Sequence, residues 1–201
     1  AASCPNPPGS AVVAKYFDES STDTQAFLFR DDAEQELILA FRGTSTIQDF
    51  VSDFDQTLVP YTSTGVSCSG CTIHEGYLKQ WNSVSDSVIS TVQSALSANS
   101  DYNLTVTGHS MGASLAVLAS ASLLGSGFDP VTYTFGEPRT GASLGPAFAD
   151  YIDQILPEGY MYRVTHSNDG VPQTITTSDG YRHHKTEYWG TDPPSAANTV
   201  Q

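Results

Sequence analysis

The apolar positions of the chain change period several times, and each change marks an element. Ala11–Phe17, Ala26–Arg30 and Leu37–Arg42 are short apolar runs between Asp-, Asn- and Ser-rich turns, and they read as strands. The third, Leu37-Ile38-Leu39-Ala40-Phe41, is unbroken, as in a strand buried on both faces. From Gly76 to Ala98 the spacing becomes helical, with Leu78, Trp81, Val84 or Ser85, Val88, Val92 and Leu96 recurring. A β-branched strand, Leu104–Thr107, then leads to a small-residue helix over Ala113–Leu124. That helix is apolar nearly all round, which predicts burial. A strand at Val131–Phe135, a helix near Pro146–Ile155 and a strand at Met161–Thr165 follow. Strand and helix alternating in this order predict a mostly parallel sheet with helices on its faces. Ligands of such sheets bind beyond the carboxyl ends of the strands. At 201 residues, with no repeat or linker, the chain reads as one domain. Its Pro-rich start, Cys4-Pro5-Asn6-Pro7-Pro8-Gly9, reads as irregular.

Charge narrows the partners. Acidic side chains number 22 against 8 basic ones, a formal net charge of −14. Phosphate is repelled by such a surface, which argues against nucleic acid and anionic membranes but not against a neutral lipid interface. No stretch approaches the roughly 18 apolar residues of a membrane span. The start carries no basic and apolar leader, so a signal peptide is absent or already removed.

The three cysteines are Cys4, Cys68 and Cys71. Cys68-Ser69-Gly70-Cys71 has the spacing of a redox motif or half a zinc site. Zinc would need a second pair or clustered histidines, and a redox motif would open a helix. A short structural disulfide, and with it an oxidising compartment, is therefore expected. Cys4 is left without a partner.

The candidate chemistry centres on Gly108-His109-Ser110-Met111-Gly112, between a strand and a helix. Gly-x-Ser-x-Gly is a weak pattern alone, but in this context a tight turn lifts the serine clear of the sheet. A Cβ at 108 or 112 would crowd the adjoining strand and helix, and the helix N-terminus favours developing negative charge. Such a serine needs a histidine base oriented by a carboxylate, and hydrolases on such sheets order them serine, acid, histidine. Asp169, in Val164-Thr165-His166-Ser167-Asn168-Asp169-Gly170, lies just past a strand; Asn-Asp-Gly is equally a plain turn. His109 points away from its neighbour's hydroxyl, and His74 and His166 precede the acid. His183 and His184 follow it, where a buried or capping role competes with catalysis.

Two further segments bear on the site. Arg42-Gly43-Thr44 closes a buried strand where a backbone N–H and a hydroxyl could face an oxyanion. Ile47, Phe50, Val51 and Phe54 then form one apolar stripe, either an ordinary core-facing helix or a hydrophobic lid. Asn103-Leu104-Thr105 is a glycosylation tripeptide expected to be buried in the strand feeding the turn.

Taken in order, these blocks resemble the filamentous-fungal class 3 lipases and their feruloyl esterase branch, all α/β-hydrolases. The resemblance runs from about Cys4 to Ser195. It rests on Phe41-Arg42-Gly43-Thr44, the Cys68–Cys71 pair, Thr107–Ala113, Tyr133-Thr134-Phe135-Gly136-Glu137-Pro138-Arg139, Arg163–Asp169 and Glu187-Tyr188-Trp189. It implies an α/β-hydrolase fold with Ser110 as nucleophile, Asp169 as triad acid, Thr44 and Met111 at the oxyanion hole, and a lid over residues 46–54. His183 matches a family histidine that is not the base, which leaves it only as a fallback. The family's triad histidine lies well past Glu187-Tyr188-Trp189, so it is expected beyond residue 201. The family also has a first helix ahead of the Cys4 region, and its counterpart of Cys4 pairs near the C-terminus. The implied protein is a larger hydrolase of which this is the central part, with a C-terminal segment held non-covalently or through Cys4. Its expected activity is that of a secreted, lipase-like carboxylic ester hydrolase needing no metal or organic cofactor. A feruloyl-type esterase is the alternative within the family, although that branch has a more polar lid and a tyrosine where Gln56 stands. A non-catalytic, lipid-binding hydrolase-fold protein is the alternative of another class.

Overall fold

In a computed structural model, the structure describes residues 9–44, 57–142 and 148–191, and the backbone of 199–200. Cys4, Gln56 and the stripe Ile47, Phe50, Val51 and Phe54 lie outside the described residues, as does Pro146. In chain order the strands and helices are β1 (Val12–Glu19), β2 (Thr24–Asp31), β3 (Glu36–Phe41), β4 (Leu58–Pro60), β5 (Thr72–His74) and α1 (Glu75–Ala98). They continue as β6 (Asn103–His109), α2 (Met111–Gly125), β7 (Pro130–Phe135), β8 (Gly141–Ala142), α3 (Phe148–Ile155) and β9 (Met161–His166). The last are β10 (Tyr181–Arg182), β11 (Glu187–Gly190) and β12 (Thr199–Val200).

The main sheet has the order β1-β2-β3-β6-β7-β9-β11-β12. β3, β6, β7, β9 and β11 pair in parallel, while β1 and β2 at one edge and β12 at the other pair antiparallel. A second, small sheet orders β10-β8-β5-β4. Its strands are two or three residues long, too short for any periodicity to announce them.

One face of the main sheet is covered by α1 and α2. The periodic residues Trp81, Val84, Val88 and Val92 are buried, as is nearly all of α2, in keeping with its apolar circumference. α1 starts at His74, whose Nδ1 accepts the N–H groups of Gly76 and Tyr77 at 3.0 and 3.4 Å and so serves as the helix cap. No helix among the described residues is long and apolar enough to cross a membrane.

The opposite face departs from expectation. Leu37, Leu39 and Phe41 are buried, but Ile38 and Ala40 between them are only half-buried. On the same side Tyr133 and Phe135 are 37% and 44% exposed, and Tyr162 stacks on Tyr133 at 5.0 Å. The unbroken apolar run of β3 is the composition of a doubly covered strand, yet the described residues cover it fully on one face. Asn103, expected to be buried, is exposed at the start of β6.

Cys68 and Cys71 are disulfide-bonded, with Cα atoms 5.6 Å apart, and close the turn before β5. Trp81 is the largest fully buried side chain. Its Nε1–H is shared by the hydroxyls of Ser63 and Ser122 at 2.9 and 3.0 Å, and its ring meets Phe41 edge-on at 6.0 Å. Replacing it with Phe loses the donor and leaves a void, so Trp81→Phe is expected to cost about 2–4 kcal/mol. Urea denaturation monitored by circular dichroism measures that loss.

Candidate functional site

Ser110 stands between the end of β6 and the start of α2, with φ 57° and ψ −129°. Residues with a Cβ avoid this region, and tertiary contacts hold the backbone there. The Ser110 N–H donates to the Phe135 carbonyl at 3.0 Å, and the Ala113 N–H donates to the Ser110 carbonyl at 2.9 Å. The flanking glycines supply the necessary room. A Cβ on Gly108 would stand 2.1 Å from the Gly112 carbonyl oxygen, and one on Gly112 would stand 2.5 Å from that of Phe41. Helix α2, β3 and β6 (the elbow strand, named for the sharp turn it enters at Ser110) are thus in backbone contact, the crowding anticipated from sequence. Ser110 is 1% exposed, and its hydroxyl has no hydrogen-bond partner among the described residues.

The loop after β3 lies against this serine. A Cβ on Gly43 would be 3.5 Å from that of Ser110, so the next residue, Thr44, borders the elbow. The Thr44 hydroxyl donates to the Met111 Sδ at 3.5 Å, which brings the two candidate oxyanion residues together. Met111 opens α2, where the helix dipole favours negative charge.

Asp169 follows β9, as its position past a predicted strand suggested. Its Oδ1 accepts the Val171 N–H at 3.0 Å, and its own N–H donates to the His166 carbonyl at 2.9 Å. Its Oδ2 lies 2.8 Å from where a Gly136 Cβ would stand, and the His109 Nε2 lies 3.4 Å from the same point. Gly136, at φ +55°, leaves the space that the carboxylate and this imidazole share. The imidazole of His109 beside Asp169 is a feature sequence reasoning missed; only the alternation of β6, which sends His109 to the opposite side from Ser110, hinted at it. A cleft of about 230 Å³ opens beside Asp169, lined by His166, Gln173, Glu187 and Trp189 among others.

The family profile of the class 3 lipases matches residues 38–178. The chain belongs to the class 3 lipase family. It is 35% identical over 189 residues to a secreted mono- and diacylglycerol lipase A of Penicillium cyclopium, an alignment covering 94% of this chain and 59% of that protein. The chain thus spans about three-fifths of the length of that curated relative. The crystal structure of a mono- and diacylglycerol lipase from Aspergillus oryzae superposes with a TM-score of 0.84 at 30% identity, covering 94% of this chain and 69% of the other. A triacylglycerol lipase whose catalytic centre is described as a serine-protease triad superposes at 0.83 with 27% identity, covering 96% and 73%. The fold of this lipase-family chain is accordingly that of an α/β-hydrolase.

The histidines after Asp169 in this class 3 lipase chain are engaged elsewhere. His183, the fallback base, directs Nε2 to the Pro172 carbonyl at 2.9 Å. A carbonyl only accepts, so Nε2 carries the proton. Burial, with the Arg163 charge adding to it, pulls the His183 pKa down to about 4. His184 is fully buried with Nε2 3.3 Å from the Glu137 carboxylate, itself fully buried and accepting the Thr140 hydroxyl at 3.0 Å. Burial pushes the Glu137 carboxyl up, but His184 beside it, together with His183 and Thr134, leaves its pKa below the usual range. None of the five histidines hydrogen-bonds the Ser110 hydroxyl.

Two outcomes follow from this geometry. Ser110→Gly relieves the positive-φ strain and is expected to raise stability by roughly 1 kcal/mol, read from the thermal midpoint. As pH falls from 6.5 to about 4, the unfolded chain binds a proton at His183 that the folded chain refuses. Stability should therefore fall over this window by an amount on the order of 3 kcal/mol. His183→Gln should flatten that slope in denaturation curves recorded across it. The depressed Glu137 carboxyl adds a loss of the same sign as pH falls below its ordinary 4.5.

Proposed function

We propose that this chain is the nucleophile-bearing part of a secreted serine ester hydrolase that cleaves acylglycerols through an acyl-enzyme. The observation that carries this reading is the strained, buried Ser110, whose hydroxyl has no partner among the described residues and stands at a helix N-terminus beside Thr44 and Met111. Ser110 Oγ attacks the ester carbonyl and passes its proton to an imidazole supplied from outside these 201 residues. Asp169, across Gly136 from the elbow strand, orients that imidazole. The N–H groups of Thr44 and Met111 receive the oxyanion. The Thr44 hydroxyl joins them at little cost, because the thioether that holds it is a weak acceptor. The imidazole returns the proton to the leaving alcohol, and water then releases the acyl group by the same steps.

The substrate class is supported by relatives named for mono- and diacylglycerols, and an extracellular site by relatives named as secreted and by the Cys68–Cys71 bond. A net charge of −14 favours a neutral lipid interface over an anionic one. The test is turnover of a diacylglycerol emulsion and of methyl ferulate by the whole protein, with fluorophosphonate labelling alongside. Ser110→Ala should abolish labelling and lower turnover by a factor of about 10⁴ or more, and residues 1–201 alone should be similarly slow. Hydrolysis that survives Ser110→Ala overturns the mechanism. Selective cleavage of the ferulate moves the substrate to the feruloyl branch. An unlabelled serine in the whole protein favours a lipid-binding role without catalysis.

A further inference from the structure

We propose that Arg139 is a positioning residue for Asp169, acting through the loop that follows it; this rests on reading Asp169 as the triad acid. Arg139 is buried, and among the described residues its guanidinium hydrogen-bonds only uncharged oxygens, with the charges of Glu187 and Arg163 acting on it from further off. Nη1 donates to the Ile175 carbonyl at 2.6 Å and to the Pro172 carbonyl at 3.4 Å, and Nη2 donates to the Gln173 side-chain Oε1 at 2.6 Å. Burying a cation without a carboxylate against it is costly, and an apolar side chain would fill the volume more cheaply. What the charge achieves here is geometric. All three acceptors belong to Pro172–Ile175, just after Asp169, and the planar fork of Arg can grip them from one rigid group.

The grip reaches the acid through one further bond. Pro172 belongs to the single-turn 3-10 helix Val171–Gln173, whose first N–H donates to Asp169 Oδ1 at 3.0 Å. His183 Nε2 donates to the same Pro172 carbonyl at 2.9 Å and steadies it from the other side. The run Gly136-Glu137-Pro138-Arg139 therefore acts at both ends. Bare Gly136 leaves room for Oδ2, while Arg139 fixes the loop that presents Oδ1.

The Val171 amide reports the carboxylate's position directly, so its hydrogen exchange is the measurement. It needs no turnover and is made on the whole protein. Arg139→Met should speed Val171 exchange at least about tenfold beyond Leu28→Ala, a distant core substitution that serves as a control for general destabilisation. Arg139→Lys, with one cationic donor group, should recover part of the protection. Gln173→Ala removes one exposed acceptor and should speed exchange less than Arg139→Met; it also provides the test if Arg139→Met fails to fold. In the whole enzyme Arg139→Lys should lower kcat with KM unchanged. Val171 exchange no faster in Arg139→Met and Gln173→Ala than in Leu28→Ala overturns the proposal, as does an Arg139→Lys effect confined to KM. A whole protein that cleaves no ester overturns the catalytic reading of Asp169, whereas the exchange experiment judges the clamp by itself.

Discussion

The site depends on how closely α2 can approach the strands beneath it. Gly108 and Gly112 bring the helix backbone against β6 and β3, leaving no room for a Cβ at either position. That approach forces the chain through a turn in which Ser110 adopts a backbone conformation costly for any residue but glycine. The strain is sustained because the surroundings over-determine it: α2 is buried on nearly every side, and the Ser110 amide is tied to the Phe135 carbonyl of β7. The same contact delivers Gly43 and Thr44 to the serine, since β3 ends where α2 begins. Nucleophile, oxyanion donors and helix dipole are consequences of one steric fit.

The acid side of the site is organised by buried polar groups in place of close packing. In the loops just after β7 and β9 the conformation is held by Arg139, by the His184–Glu137 contact and by Arg163. The Arg163 Nε donates to the His184 carbonyl at 3.2 Å, and its Nη1 donates to Glu187 at 3.2 Å. These groups cost desolvation energy and gain definition of the loops in exchange. Their presence explains why Glu137, Arg139 and Glu187 stand out in the sequence without touching Ser110.

Much of this was legible in the sequence where the governing physics is local. The helical spacing of Trp81, Val88 and Val92, the apolar circumference of α2 and the contact of Gly108 with Gly112 each link residues within a few helical turns of one another, so their order along the chain carries their meaning. The Cys68–Cys71 bond was legible for the same reason, its partners being three residues apart. Asp169 was legible only as one of two readings, because a tripeptide that makes a turn looks the same whether or not its carboxylate reaches another strand.

What the sequence by itself determined, then, is the longer strands and helices as far as β9, the alternation that makes the sheet parallel, and the turn that carries Ser110. The tertiary structure alone decided the rest: the second sheet, the half-open face of β3, the imidazole of His109 beside Asp169, and the partners of Arg139, His183 and His184. Most of these are meetings between residues more than ten positions apart. Such a meeting depends on the path of the whole chain, and no periodicity or local preference of either partner encodes it.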